Sequence, residues 1–202
     1  MTSHTISLTR RTALRTLSIP FAATVGASLL ACSPQDNKPE PGSLKTAESY
    51  DALAKDGKGF TVGALMSNNT VYVLFDPQCP HCGHLWQQSL PLHKKAKFVW
   101  LPVSIINATS TSQGAALLTA ANPLEAMTAH EASILAGTGG TSASSSIPDD
   151  IAAAIKKNTD LLNALGVTSV PHIVGKNAAT GAVVANTGAM DTAALAQLLG
   201  LS

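Results

Sequence analysis

The chain has few of the residues that most directly reveal a function: of its 202 residues, three are cysteines, 4% are aromatic and 12% are charged. Three cysteines are too few for a disulfide-stapled scaffold. A formal charge of +1 gives no argument for binding nucleic acid. The sequence also has no Ser/His/Asp arrangement and no glycine-rich phosphate loop. An apolar fraction of 45% nevertheless excludes a disordered chain, and the length suggests one domain with a small appendage.

Arginine is absent after position 15, and its distribution indicates an export signal. Arg10, Arg11 and Arg15 precede an apolar stretch over residues 17–31. A basic region followed by a short apolar core predicts a secretory signal peptide over residues 1–31, too short and too rich in alanine and serine for a membrane-spanning helix. Residues 9–15 (TRRTALR) resemble a twin-arginine signal. Ordinary Sec signals also carry arginine pairs, so both export routes stay open.

Cys32 ends this signal in the sequence LLAC, which resembles a bacterial lipobox. The resemblance implies that Cys32 is acylated and becomes the mature N-terminus, held at a membrane surface by its acyl chains. The alternative is cleavage nearby, which leaves Cys32 as a free thiol. Ser33 rather than Asp follows, and the same resemblance then implies the outer membrane. Loss of the arginines leaves 10 lysines against 12 acids, a net charge of −2, and the polar, proline-rich residues 32–43 are expected to form a flexible tether.

The remaining pattern predicts an α/β fold with strands running in both directions. A linker helix is expected within residues 44–60, before a domain over 61–202. Within that domain a buried strand, a helix shortened by Pro91 and a second strand come first. A helical insert, a hairpin and a last helix capped by Asp191 follow. The first strand is expected at 71–75, the helix at 80–95, the second strand at 97–103, the insert at 107–165, the hairpin at 171–185 and the last helix at 191–199. The insert is expected to hold helices near 112–121, 123–136 and 148–165, with a glycine-rich loop at 137–146.

The sequence Cys79-Pro80-His81-Cys82 follows the buried strand directly and opens the next helix. At a helix N-terminus, unpaired N–H groups and the helix dipole favour the thiolate of Cys79, which is the attacking species. Cys82 lies one turn deeper and can resolve a mixed disulfide. Pro80 pre-sets the first turn, and protonated His81 adds positive charge near Cys79. The pattern therefore predicts a redox pair in which the pKa of Cys79 is well below that of a free thiol.

Residues 71–89 (VYVLFDPQCPHCGHLWQQS) resemble the catalytic domain of the DsbC/DsbG family of thiol–disulfide interchange proteins. The resemblance extends to residues 57–63 (GKGFTVG) and, more broadly, over 44–200. It implies a thioredoxin-like fold with the helical insertion at 107–165. It also implies that the bond between Val170 and Pro171 is cis and faces the cysteine pair, so that Val170 positions the client backbone.

Three departures from that family affect the expected function. Most of the family's N-terminal dimerisation domain is absent, so we expect a monomer, and isomerase activity that relies on a dimer cleft does not carry over directly. The motif CPHC is the one found in the oxidase DsbA. Val170 before the proline also looks like the oxidase, whereas the DsbC/DsbG family has threonine there. The sequence therefore leaves open whether the protein oxidises its clients or reduces and isomerises their disulfides.

The combined prediction is a thiol–disulfide oxidoreductase in the bacterial periplasm, lipid-anchored, that needs no cofactor and no metal. Its expected partners are cysteine-containing client proteins, a membrane redox partner and the membrane surface, and not nucleic acid. The alternative is a copper-binding or redox-sensing envelope protein that uses the same C-x-x-C with His84. Zinc normally requires four ligands, and the four methionines form no cluster that would support copper. His93 and His130 are expected on the surface, Trp86 beneath the first helix, and Asp76 either buried or solvated.

Overall fold

The structure, a computed structural model, describes residues 41–141, 143 and 146–201. The predicted signal peptide (1–31), the lipidation site Cys32 and most of the tether (32–43) lie outside these residues. Within the described part of the chain, no helix combines the length and the hydropathy that crossing a membrane requires.

The described residues form six α-helices and five strands, with a short 3₁₀ helix after α2. The bounds are α1 Thr46–Asp56, β1 Phe60–Gly63, β2 Thr70–Phe75, α2 Pro80–Ser89, 3₁₀ Leu90–Lys94, β3 Lys97–Pro102, α3 Thr109–Leu118, α4 Pro123–Leu135, α5 Asp149–Ala164, β4 His172–Lys176, β5 Val183–Thr187 and α6 Thr192–Leu199. The predicted strands and helices are present, and α2 ends before Pro91 as expected. The sequence analysis missed β1.

The five strands form one mixed sheet in the order β1-β3-β2-β4-β5. β2 runs parallel to β3, and the other neighbours are antiparallel. Helices cover both faces of the sheet at β2, which explains the continuous apolar run of this strand. Because β2 is the central strand, the loop after it and the start of α2 lie at the middle of one end of the sheet.

The helices pack on both faces of this sheet. Trp100 pairs in register with Val73, and its ring stacks edge-to-face on Trp86 of α2 at 5.2 Å. Tyr72, the neighbour of Val73, contacts Tyr50 of α1, also at 5.2 Å. Successive strand residues point to opposite faces, so α1 and α2 lie on opposite sides of the sheet.

The insert is tied to the sheet by a buried amide. Asn158 of α5 donates to the carbonyl oxygens of Lys58 (2.7 Å) and Pro102 (2.9 Å) and accepts the Lys58 N–H. These bonds satisfy backbone groups of both segments at one end of the β1–β3 pair, and the Pro102 carbonyl is buried there. α4, the middle helix of the insert, packs mainly against α2. The insert therefore contacts both the sheet and the helix that begins at Cys79.

Two predicted surface histidines are not on the surface. His130 of α4 is fully buried, because α4 packs its face against the loop before α2. His93 is half-buried between aromatic rings, 5.6 Å from Trp86 and 5.2 Å from Phe98 between ring centroids. Both predictions were wrong because tertiary packing, and not the local polarity of the helix, determines the burial of these side chains. Trp86 and Asp76 are buried.

Candidate active site

Cys79 is the N-cap of α2 and lies four residues after the last residue of β2. Its N–H donates to the carbonyl oxygen of Asp76 at 3.0 Å, and its own carbonyl accepts the N–H of Cys82 at 3.0 Å. Pro80 occupies the first helical turn, where a missing N–H costs little. The sequence places a thiol at the positive end of a helix dipole, as the spacing predicts.

The two thiols differ in exposure and in acidity. Both are free, but Cys79 keeps 5% of its surface exposed while Cys82 has none. A hydrogen bond from the Cys82 thiol, N–H groups of Cys82 and His81, and the charge of His81 lower the pKa of Cys79 from 9.0 to about 6, although burial opposes the shift. Burial, the bond to Cys79 and the charge of Cys79 raise the pKa of Cys82. One thiol is therefore prepared as a thiolate near neutral pH, and the other stays protonated.

Val170 and Pro171 lie directly beside the first thiol. The bond between them is cis, as the sequence analysis expected. The Sγ of Cys79 is 3.5 Å from the carbonyl oxygen of Val170, 91 residues away in sequence. The carbonyl oxygen of Pro171 accepts the N–H of Gly188 at 2.8 Å. The cysteine pair and the residues before β4 therefore form one site at the end of the sheet.

Asp76 organises the loop between β2 and α2. It is fully buried, and its two carboxylate oxygens accept bonds from the Ser110 hydroxyl (2.7 Å) and from the N–H groups of Gln78 (2.9 Å), Ile105 (2.8 Å) and Ile106 (3.0 Å). A carboxylate with four donors is well satisfied in the interior. Of the two alternatives that the sequence left open for Asp76, the structure shows burial, with a role in connecting the active-site loop to the start of the insert.

His130 and Gln78 fasten the same loop to the glycine-rich segment of the insert. The Nε2 of His130 donates to the carbonyl oxygen of Pro77 at 2.7 Å, and its Nδ1 accepts the Thr141 N–H at 3.1 Å. This bonding pattern assigns the neutral ring. The Gln78 side chain bonds Gln113 and the carbonyl oxygen of Gly139. Sequence reasoning missed these contacts, because no motif links α4 to residues 77–78.

Of the other histidines described, two are exposed on α2 and His172 has a partner in the neighbouring strand. His81 and His84 are exposed on α2, with ring centroids 6.4 Å apart. His172 bonds the Thr187 hydroxyl at 2.8 Å, and burial lowers its pKa to about 4. It therefore has a structural partner in the neighbouring strand. Among the described residues, no group of three or more His, Cys, Asp or Glu side chains could hold a metal ion, so Cys79, Cys82 and His84 do not form a metal site together.

Glu131 is the second functional candidate that sequence reasoning missed. It follows His130 on α4, is 1% exposed, and neither of its carboxylate oxygens has a hydrogen-bond partner. Its Oε2 lies where a Cβ on Gly83 would be only 2.8 Å away, so the carboxylate packs against the backbone next to Cys82. No local feature of α4 marks Glu131, because the helix also carries Glu125 and His130.

Comparison with known proteins supports the fold that the motifs predicted. The family model described as a thioredoxin-like domain matches residues 64–201. ScsC from Proteus mirabilis, solved in a transitional conformation, superposes with a TM-score of 0.62 over 81% of both chains at 17% identity. A periplasmic thioredoxin-like protein from Salmonella enterica serovar Typhimurium superposes with a TM-score of 0.60 at 16% identity, over 76% of this chain and 94% of that one. These matches confirm the predicted thioredoxin-like fold.

A sequence match confirms the resemblance to DsbG. The thiol:disulfide interchange protein DsbG of Pseudomonas aeruginosa is 31% identical over 132 residues, which are 64% of this chain. The match spans 50% of that relative's own length.

Proposed function

The chain belongs to the family of thioredoxin-like domains, and on that premise we propose that it is a thiol–disulfide oxidoreductase that exchanges disulfides with cysteine-containing client proteins. One observation carries the proposal: an acidic, slightly exposed thiol and a buried, weakly acidic thiol share one helical turn. Thiolates are the nucleophiles of disulfide exchange. The second, protonated thiol does not react until a mixed disulfide forms, which it then resolves. The name of the Pseudomonas relative supports the same activity.

In the proposed reaction, the Cys79 thiolate attacks a client disulfide, forms a mixed disulfide and releases one client thiolate. The Cys82 sulfur then attacks the Sγ of Cys79, the bond to the client breaks, and the pair becomes a disulfide while the client is reduced. The reverse sequence oxidises a client dithiol. Pro80 and His81 tune the acidity of Cys79 from the first turn of α2, and Val170 and Pro171 position the client backbone beside the sulfur.

The proposed location is the bacterial periplasm, with Cys32 acylated and anchored at the outer membrane. The basic-then-apolar order of residues 1–31 and the LLAC sequence support this placement, as does the periplasmic location stated for the Salmonella neighbour. We also propose that the enzyme is a monomer and that a membrane protein is its redox partner. Labelling cells with a radioactive fatty acid tests the anchor: the label is expected on the wild-type chain and absent from a Cys32→Ser variant.

Insulin reduction with dithiothreitol as reductant tests the activity. The wild-type chain is expected to accelerate insulin precipitation, and Cys79→Ala is expected to lose the acceleration. Cys32→Ser is the matched control, because it removes a cysteine outside the pair and keeps the activity. Turnover that survives Cys79→Ala contradicts the assignment. A copper(I) titration of the same variants tests the alternative: tight binding that depends on Cys79, without insulin reduction, would favour copper handling.

The redox state of the pair in cells determines the direction of the exchange. Alkylation of free thiols in acid-quenched cells reports it. A mostly oxidised Cys79–Cys82 pair means that the protein oxidises its clients, and a mostly reduced pair means that it reduces or isomerises them.

A further inference from the structure

Glu131 is a buried carboxyl group with no hydrogen-bond partner among the described residues. It is 1% exposed, and neither carboxylate oxygen has a partner. A buried ionised carboxylate without a partner is strongly destabilising, and nearly all buried polar groups in proteins are hydrogen-bonded. Asp76, the other buried acid near the site, has four donors. The fold therefore retains at Glu131 a group that does not contribute to its stability.

The titratable groups that face Glu131 belong to the active site. The charges of Cys79 and Asp76 act on its carboxyl group, and its own charge acts on Cys82. α4 also packs against α3 and β1, and neither element carries a titratable side chain. On α4 itself, the neutral ring of His130 is engaged with Pro77 and Thr141, and Glu125 is exposed at the first turn. Glu131 is therefore linked electrostatically to the cysteine pair.

Gly83 allows this approach. A Cβ at residue 83 would lie 2.8 Å from the Oε2 of Glu131 and 3.1 Å from the Cγ of Leu135, both closer than side chains normally come. Because Gly83 has no side chain, the carboxylate of Glu131 can occupy the space beside the backbone of the redox motif. α2 and α4 pack closely at this point, and this packing places the carboxylate of Glu131 beside the redox motif.

We propose that Glu131 accepts the proton of Cys82 when Cys82 resolves a mixed disulfide at Cys79, and returns it when the disulfide is reduced. The inference rests on the proposed function of the pair. In the step, the Cys82 sulfur forms a bond to Cys79, the bond from Cys79 to the client sulfur breaks, and the client leaves as a thiolate with two electrons. The Cys82 proton passes to the Glu131 carboxylate, which becomes a neutral carboxyl group. In the reverse direction the carboxyl group protonates the departing Cys82 thiolate.

The charge of Cys79 contributes to the raised pKa of Glu131, and this contribution changes during the reaction. Burial, then the charges of Cys79 and Asp76, raise the pKa of Glu131 to about 9, so the group holds a proton while Cys79 is a thiolate. In the mixed disulfide Cys79 carries no charge, and this contribution to the raised pKa is lost. Glu131 then ionises more readily and gives its proton to the client thiolate released in the first exchange, at the stage when Cys82 must lose its own proton. A buried thiol has no direct contact with bulk water, which makes an internal acceptor effective.

Stopped-flow kinetics on Glu131→Gln test the proposal, with Glu125→Gln as the matched control on the exposed side of the same helix. The probe is 5,5′-dithiobis(2-nitrobenzoate), whose coloured thiolate is released first when Cys79 attacks and again when Cys82 closes the pair. General base catalysis contributes about 10²- to 10⁴-fold, so we expect Glu131→Gln to slow the second release about a hundredfold and leave the first release unchanged. We expect the second rate of this variant to rise in proportion to hydroxide concentration, since hydroxide replaces the missing base.

The outcomes separate this inference from the proposed function. If the wild-type chain releases no coloured thiolate, the proposed function fails. If both releases occur and Glu131→Gln changes neither, or slows both equally, only the role of Glu131 is overturned. A measurement on the unaltered chain covers the case in which the variant does not fold. In time-resolved infrared spectra after mixing with the same disulfide, the band of a buried carboxyl group is expected to disappear with the first release and to return with the second, and the absence of this change also overturns the inference.

Discussion

The Sγ of Cys79 lies 3.5 Å from the carbonyl oxygen of Val170, although 91 residues separate the two. β2 and β4 are hydrogen-bonded neighbours, and the register Leu74–His172 brings the end of one strand beside the start of the other. The carbonyl of Val170 is therefore fixed next to the reactive sulfur by the sheet itself. A client chain that presents a disulfide to Cys79 meets backbone groups of residues 170–171 at the same place, which connects sheet topology with client binding in the proposed function.

Cys82→Ala is expected to accumulate mixed disulfides with client proteins. Cys79 can still attack, but the buried thiol that releases the client is gone. Non-reducing gels of cell extracts, followed by mass spectrometry of the complexes, measure the effect. Complexes are expected to disappear in the Cys79→Ala/Cys82→Ala double variant. Equal amounts of complex in the double variant would show that another residue forms them.

The pKa of Cys79 is expected to rise more in Cys82→Ala than in His81→Ala. The hydrogen bond from the Cys82 thiol is the largest cause that lowers this pKa, and the charge of His81 is the smallest. We therefore expect the smaller rise for His81→Ala. The ultraviolet absorbance of the thiolate against pH gives both values, and in the wild-type chain its midpoint is expected at about pH 6. A larger shift in His81→Ala than in Cys82→Ala contradicts the assignment of causes.

Glu131→Gln is expected to stabilise the reduced protein, and to do so more at pH 8 than at pH 5. Burial is the main cause that raises the pKa of Glu131 from 4.5 to about 9, so the folded state binds this proton more tightly than the unfolded state does. The resulting penalty is absent below the unfolded pKa and grows as the pH rises toward the folded one. The gain from the substitution is on the order of a few kcal/mol at pH 8.

Urea denaturation at the two pH values measures this difference. Glu125→Gln serves as the control, because its exposed carboxylate is expected to show no such pH dependence. A stabilisation by Glu131→Gln that is equal at both pH values would show that Glu131 is ionised to the same degree in the folded and unfolded chains.

His130→Ala is expected to destabilise the fold by about 1–3 kcal/mol, because it leaves the Pro77 carbonyl and the Thr141 N–H without their partner. The substitution also opens a cavity beneath the loop that leads to Cys79. Equilibrium unfolding in urea gives the free energy, and His84→Ala, which alters an exposed ring on α2, is expected to stay within about 0.5 kcal/mol of the wild type. A His130→Ala protein as stable as His84→Ala would show that the buried bonds contribute nothing.

Local sequence patterns predicted the elements of this site that depend on neighbouring residues. The apolar run of β2, the CPHC motif and the Asp191 cap of α6 each follow from a few adjacent side chains, and the structure has them. β1 was missed because its four residues end in Gly63 and pair only with β3, which a short local pattern does not indicate. Residues whose role comes from helix–helix packing were also missed.

His130 and Glu131 show why the sequence did not indicate residues whose role comes from helix packing. His130 is polar and lies in a helical insert, so local reasoning placed it at the surface, whereas its ring is buried against the Pro77 carbonyl. Glu131 gained its place beside Cys82 from the close packing of α2 and α4 at Gly83. No spacing between residues 83 and 131 encodes that contact. The sequence therefore identified the redox pair but not the buried groups around it.

The reduction potential of the Cys79–Cys82 pair tests the central claim most directly. Equilibration of the wild-type chain in glutathione buffers, with alkylation of free thiols, gives the fraction reduced. A thiolate stabilised to a pKa of about 6 favours the reduced form, so we expect one reversible two-electron couple more oxidising than thioredoxin, whose potential is about −270 mV. A pair that does not interconvert with glutathione, or whose potential lies below that of thioredoxin, contradicts the account.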